Sequence, residues 1–176
     1  LSRKLHGLRS EDNIKAMADA IQIFPGANSL PFSFDKDAEL SLSVYVELCK
    51  LERKYAPELL QRGRGMDANV WSKVVQWMAS IQTHCSWGVS VLFLAICILN
   101  RYLSKSPMYG QDLYLASAAS LLLAAKFNDA SPSLAVLGNS REQRRQLRVM
   151  ERCIWHKLQY EMSCPTPLDF LQWHPC

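Results

Sequence analysis

The chain has 176 residues, 49% of them hydrophobic, with a formal net charge of +4 and an isoelectric point near 8.8. That length and apolar content support one domain with a substantial core and exclude an intrinsically disordered chain. The mild positive charge falls well short of a dedicated nucleic-acid binder.

Apolar spacing is helical throughout, so the expected class is all-α. Ser10 is placed to cap a first helix, with Glu11 and Asp12 in its first turn and Ile14, Met17, Ala18 and Ile21 on one face. Pro25-Gly26 ends it, and residues 25–37 read as a linker or extended arm. A second helix is predicted over 38–55, on the spacing of Leu40, Val44, Leu48, Leu51 and Tyr55. "QRGRG" (61–65) is a flexible break. A third helix over 68–84 puts Val70, Val74, Trp77 and Ile81 on one face.

Residues 87–104 and 111–127 are apolar nearly all round, the mark of central helices. The second of these is rich in alanine and serine, which let neighbouring helices approach closely. An irregular piece follows, "NDASPSLAVLGNS" (128–140). A long helix is then predicted over 141–161, with Leu147, Met150, Ile154 and Leu158 as its inner stripe. Pro165 and Pro167 bracket a turn, and "LDFLQW" (168–173) begins a last short helix.

Enzyme constellations are absent: there is no H-E-x-x-H, Walker loop or G-x-S-x-G. The histidines are scattered, and no catalytic residue, cofactor or metal is expected. The cysteines (49, 85, 97, 153, 164 and 176) form no C-x-x-C pair, which points to free thiols in a reducing, intracellular setting. The longest apolar runs, 89–99 and 115–125, are too short to span a bilayer, so no membrane segment is expected. "REQRRQLRVMER" places Arg141, Arg144, Arg145, Arg148 and Arg152 on one helical face near Trp155. That face is either a solvated surface or a site for phosphate or an acidic partner.

"LAICILNRYLS" (94–104) followed by "YLASAASLLLAAKFND" (114–129) resembles the second and third helices of the cyclin box. The pattern there is an apolar run, then Asp-Arg-Phe-Leu-Ser, then an alanine-rich helix ending Ala-Ser-Lys-Phe-Glu-Glu. "ELCKLERKYAP" (47–57) resembles the helix before the box, and "VWSKVVQW" (70–77) its first helix. "LRVMERCIWHKLQYEMSCPTPLDFL" (147–171) resembles the fifth helix and its proline exit. The likeness covers roughly residues 40–172. It implies a five-helix bundle with central apolar helices: 1–37 as an N-terminal helix and linker, 38–65 holding the helix before the box, 66–176 the box itself.

The resemblance also implies a function. The chain would be a regulatory subunit, without catalytic groups, that binds and activates a cyclin-dependent kinase as a heterodimer in the nucleus or cytoplasm. Lys126 and Glu151 would grip the kinase around its C-helix, with Phe127, Leu48 and Tyr55 on the same face. The family's substrate-docking groove maps onto Val70, Lys73, Val74, Trp77 and Tyr114. A lysine at 73 charges an otherwise apolar groove, so R-x-L peptides should dock poorly. The family's internal Arg–Asp pair is replaced at both positions, by Trp71 and Asn100, so no lone buried charge should remain from it and the brace should be packing plus a neutral hydrogen bond. The alternative is a cyclin-fold adaptor whose arginine face binds a non-kinase protein; nucleic acid is the less favoured partner.

Overall fold

A computed structural model describes residues 38–60, 67–128, 130, 137–138 and 140–173. The helix predicted from Ser10, the 25–37 arm, "QRGRG" and most of the 128–140 piece lie outside the described residues. Every regular element described is a helix: α1 (Ala38–Leu60), α2 (Ala68–His84), α3 (Val89–Lys105), α4 (Gly110–Phe127), α5 (Arg141–Lys157) and α6 (Pro167–Gln172).

The centre is where all-round apolarity puts it. Residues 91–99 of α3 and 116–125 of α4 are continuously buried, and the two helices pack on each other. Full burial of one side chain such as Leu99 or Leu122 stabilises by about 2–3 kcal/mol. The small residues of α4 set the close approach. Ser117 and Ser120 donate to the carbonyls of Leu113 (2.7 Å) and Ala116 (2.8 Å), so their buried hydroxyls are satisfied within their own helix. Around this pair, α1 and α2 cover α3, α5 covers α4, and α6 lies on α1.

Local chemistry sets several helix ends. The Asp67 carboxylate caps α2 through Asn69 N–H at 3.1 Å. Ser140 and Gln143 form a reciprocal capping box that starts α5, both bonds 3.1 Å. Asp169 Oδ2 accepts from Thr166 N–H and its hydroxyl, both at 2.7 Å, at the start of α6, where Pro167 supplies the first helical residue.

Two predicted faces are corrected. The inward stripe of α2 is Val74, Met78 and Gln82, while Val70 is exposed and Trp77 half-buried. The inner set of α5 is Leu147, Glu151 and Ile154, with Met150 only half-buried. Helix α5 also stops four residues short of the predicted end: Gln159 (φ 55°) and Tyr160 (φ 65°) take the left-handed conformation and turn the chain back.

The returning segment carries the largest departure from expectation. Arg101, placed at the polar end of the α3 run, is 1% exposed, a buried charge beside the replaced pair rather than in it. Its guanidinium lies over the Tyr55 ring, 4.1 Å from the centroid, and its Nη1 donates to the Glu161 carbonyl at 2.7 Å. Tyr55 Oη donates to Glu161 Oε2 (3.1 Å), and Lys54 Nζ pairs with the same carboxylate at 2.9 Å. α1, α3 and the segment after α5 are thereby tied at one point. The neutral bond expected at Asn100 is not made through its oxygen, since Oδ1 is buried without a hydrogen-bond partner. Close by in sequence, the Cys97 thiol is held well above its ordinary value by a hydrogen bond with Cys164 and by burial; neither cysteine is in a disulfide.

Lys54 and Tyr55 hold the Glu161 carboxyl below its ordinary value of 4.5, and Glu161 holds Lys54 above 10.5. The lowered carboxyl adds stability that is full above its unfolded value and lost as pH falls through the folded one. The raised amine adds stability that is full below its unfolded value and lost as pH rises through the folded one. Both groups are half exposed, so the pair is weak and salt-sensitive. The melting-temperature gap between wild type and Glu161→Gln should therefore be present at pH 7 and shrink as pH is lowered below the ordinary carboxyl value of 4.5. A gap of constant size across that range would refute the assignment.

Candidate functional site

Helix α4 ends on Lys126 and Phe127. Asn128 closes it, donating both its backbone N–H (3.1 Å) and its side-chain Nδ2 (2.9 Å) to the Ala124 carbonyl. The last turn of α4 lies against the middle of α5, and there Lys126 Nζ meets Glu151 Oε1 at 2.6 Å. The two ends of this pair differ: the Lys126 side chain is 49% exposed, the Glu151 side chain 10%. Glu151 therefore does not face water; packing orients its carboxylate, which holds the ammonium at the rim. An ammonium carries three N–H donors, and one is used here, so two remain for groups arriving from outside.

Exposed aromatics border the pair. Phe127 follows Lys126 directly, and Trp155 stands one helical turn beyond Glu151 on α5. Trp155 packs edge-on to Tyr160 (centroids 6.0 Å), whose hydroxyl is 2.9 Å from His156 Nδ1. The left-handed turn at 159–160 is what brings Tyr160 back onto this end of α5. The expected face included Phe127 but omitted Trp155 and Tyr160; the i, i+4 spacing of Glu151 and Trp155 was the available signal.

Leu48 and Tyr55 do not fit the expected face. Leu48 is half-buried and Tyr55 is 4% exposed, committed to Arg101 and Glu161. Among the described side chains of α1, the large apolar ones left exposed are Leu42 and Val46.

The residues assigned to the docking groove are only partly brought together. Val74 has no exposed surface and cannot line a groove. Val70 and Lys73 are exposed on α2, and Tyr114 stands edge-on over Trp77 with centroids 5.6 Å apart. Trp77 itself rests on a cluster of Ala118, Leu122 and Leu147. An apolar peptide side chain would have to displace the Tyr114 ring as well as tolerate Lys73. An R-x-L peptide should therefore bind weakly, and Tyr114→Gln combined with Lys73→Leu should tighten it about tenfold. Unchanged peptide affinity in that double variant would show that the ring does not block the groove.

On α5, Arg141, Arg145, Arg148 and Arg152 are exposed, while Arg144 is half-buried and bonds back to the Ser140 carbonyl. Among the described residues, no cluster of three or more His, Cys, Asp or Glu could hold a metal ion, and no helix is long and apolar enough to cross a membrane.

Residues 43–163 match the family described as Cyclin, N-terminal domain. Relatives include the G2/mitotic-specific cyclin-B2 of Bos taurus, 27% identical over 135 residues that cover 73% of this chain and 34% of that protein. The G2/mitotic-specific cyclin-3 of Saccharomyces cerevisiae is 28% identical over 141 residues (77% of this chain, 33% of that protein). Cyclin-A3-2 of Oryza sativa subsp. japonica is 26% identical over 145 residues (77% and 38%). The chain thus spans about a third of the length of these relatives.

Proposed function

Because the chain belongs to the cyclin family, through a cyclin N-terminal domain over residues 43–163, we propose that it is a non-catalytic regulatory partner of a cyclin-dependent protein kinase. The reading rests on the Lys126–Glu151 pair: a carboxylate oriented by packing holds an ammonium half in solvent, with exposed Phe127 next to Lys126 in the chain and exposed Trp155 one turn from Glu151. A kinase C-helix seated on this face would meet apolar surface from the aromatics and free N–H donors from Lys126. Binding that favours the active arrangement of the kinase shifts its population toward that state, and this chain supplies no reacting group. Such a partnership places the chain inside the cell, in the nucleus or cytoplasm.

The test is co-purification of the chain with a panel of cyclin-dependent kinases, followed by phosphorylation assays on the complexes. One kinase retained and activated is the expected result. Failure of every kinase to bind, with the chain demonstrably helical, would overturn the reading.

A further inference from the structure

The arginine face of α5 is not used by the kinase reading, which it neither requires nor follows from. Arg141, Arg145, Arg148 and Arg152 form an exposed strip on that helix. Of the two acids on this helix, Glu151 is turned inward to Lys126, and Glu142 reaches Arg145 only at 3.9 Å and also accepts from Gln146 at 3.4 Å. Arg141, Arg148 and Arg152 make no ion pair with any described residue. A solvated helix face usually mixes both signs, so a strip whose one exposed acid is Glu142 is poorly compensated. Every base in 141–152 is arginine, whose planar fork binds phosphate bidentately where lysine offers a point charge.

The neighbouring surface narrows the ligand. Beside the strip lies an open hollow of ≈ 370 Å³ whose apolar wall is Leu115, Val149, Met150 and Cys153, with Glu142, Arg145 and Gln146 as its polar lining. An extended peptide sends alternate side chains to opposite sides, so one edge can meet arginines and the other an apolar hollow. A nucleic-acid backbone has no apolar edge to place there, and the aromatics that could stack bases stand only beyond Arg152. The rise from Arg148 to Arg152 is about 6 Å, close to the roughly 7 Å between same-side residues of an extended strand.

We propose that the α5 arginine strip and the apolar hollow beside it form a docking surface for a segment of a partner protein phosphorylated at two serines or threonines two residues apart. The two phosphates engage Arg145, Arg148 and Arg152, and an apolar side chain between or beside them enters the hollow.

The probe is a short, otherwise uncharged peptide with two phosphoserines two residues apart and a leucine between them, titrated into the intact chain by fluorescence anisotropy. It should bind at least about tenfold more tightly than its unphosphorylated form. Arg145→Ala/Arg148→Ala/Arg152→Ala should lose that gain without a change in helicity, because these side chains are exposed. The matching triple lysine variant, which keeps the charge, should lose about half of the gain in free energy. Val149→Ser, which removes apolar surface without adding charge, should weaken the peptide while leaving inorganic pyrophosphate binding unchanged. Equal affinity for phosphorylated and plain peptide, or indifference to the triple alanine variant, would overturn the proposal. So would tighter binding of single-stranded RNA of matched charge. Lys126→Glu/Glu151→Lys should bind the peptide as wild type does, so loss of kinase binding and loss of peptide binding are read separately.

Discussion

Exchanging the two charges of the rim pair, Lys126→Glu/Glu151→Lys, should abolish kinase retention while leaving the domain folded. The wild-type groups meet at 2.6 Å, and the exchanged pair can still meet, with the charge polarity reversed. Truncating or inverting a hydrogen-bonded charge within an interface costs about 3–5 kcal/mol, roughly two to three decades of affinity. The cost to folding is smaller, because half of the Lys126 side chain is already in solvent, where an ion pair is worth about 1 kcal/mol or less. The measurement is a pull-down or calorimetric titration with the retained kinase, paired with a melting curve. A variant that binds as well as wild type would remove Lys126 and Glu151 from the interface. Affinity lost only in proportion to helicity would make their role one of folding. Trp155→Ala should give a smaller loss in the same assay, about tenfold, as an apolar neighbour.

The second large effect is on stability. Arg101→Ala should destabilise the domain by about 3–4 kcal/mol and lower the melting temperature by roughly 10 °C. Three losses act together at one fully buried site. A large side chain leaves a void, the Tyr55 ring loses the cation 4.1 Å from its centroid, and the Glu161 carbonyl loses a 2.7 Å donor. Arg101→Met keeps most of the volume, so its smaller cost isolates the charge and the hydrogen bond. A melting temperature within about 2 °C of wild type for the alanine variant would mean that Arg101 is not the tie between α1, α3 and the returning segment. Kinase binding measured below the melting transition should survive this variant, unlike the charge exchange.

The helices and their order were legible in the sequence because each depends on neighbours three and four residues apart. Residues 89–105 and 110–127 declare themselves central by being apolar on all sides, and burial follows that pattern. The family was legible from an ordered set of short matches, and it singled out Lys126 and Glu151 where spacing alone would not have. The sequence did not reveal which way each side chain points once helices meet. Tyr55 looked like one more apolar residue on an outward-capable face; its burial depends on Arg101 and Glu161, 46 and 106 residues away. On α2, Met78 and Gln82 join Val74 inside where Trp77 and Ile81 were expected, a rotation by a fraction of a turn that packing on α3 and α4 decides. The α5 terminus came from two left-handed, non-glycine residues that no local signal announces. Local periodicity is set by contacts within one turn and is written in the chain. The Arg101 tie, the covered Trp77 and the oriented Glu151 carboxylate exist only where distant segments bring complementary charge and shape together, and tertiary packing alone decided them.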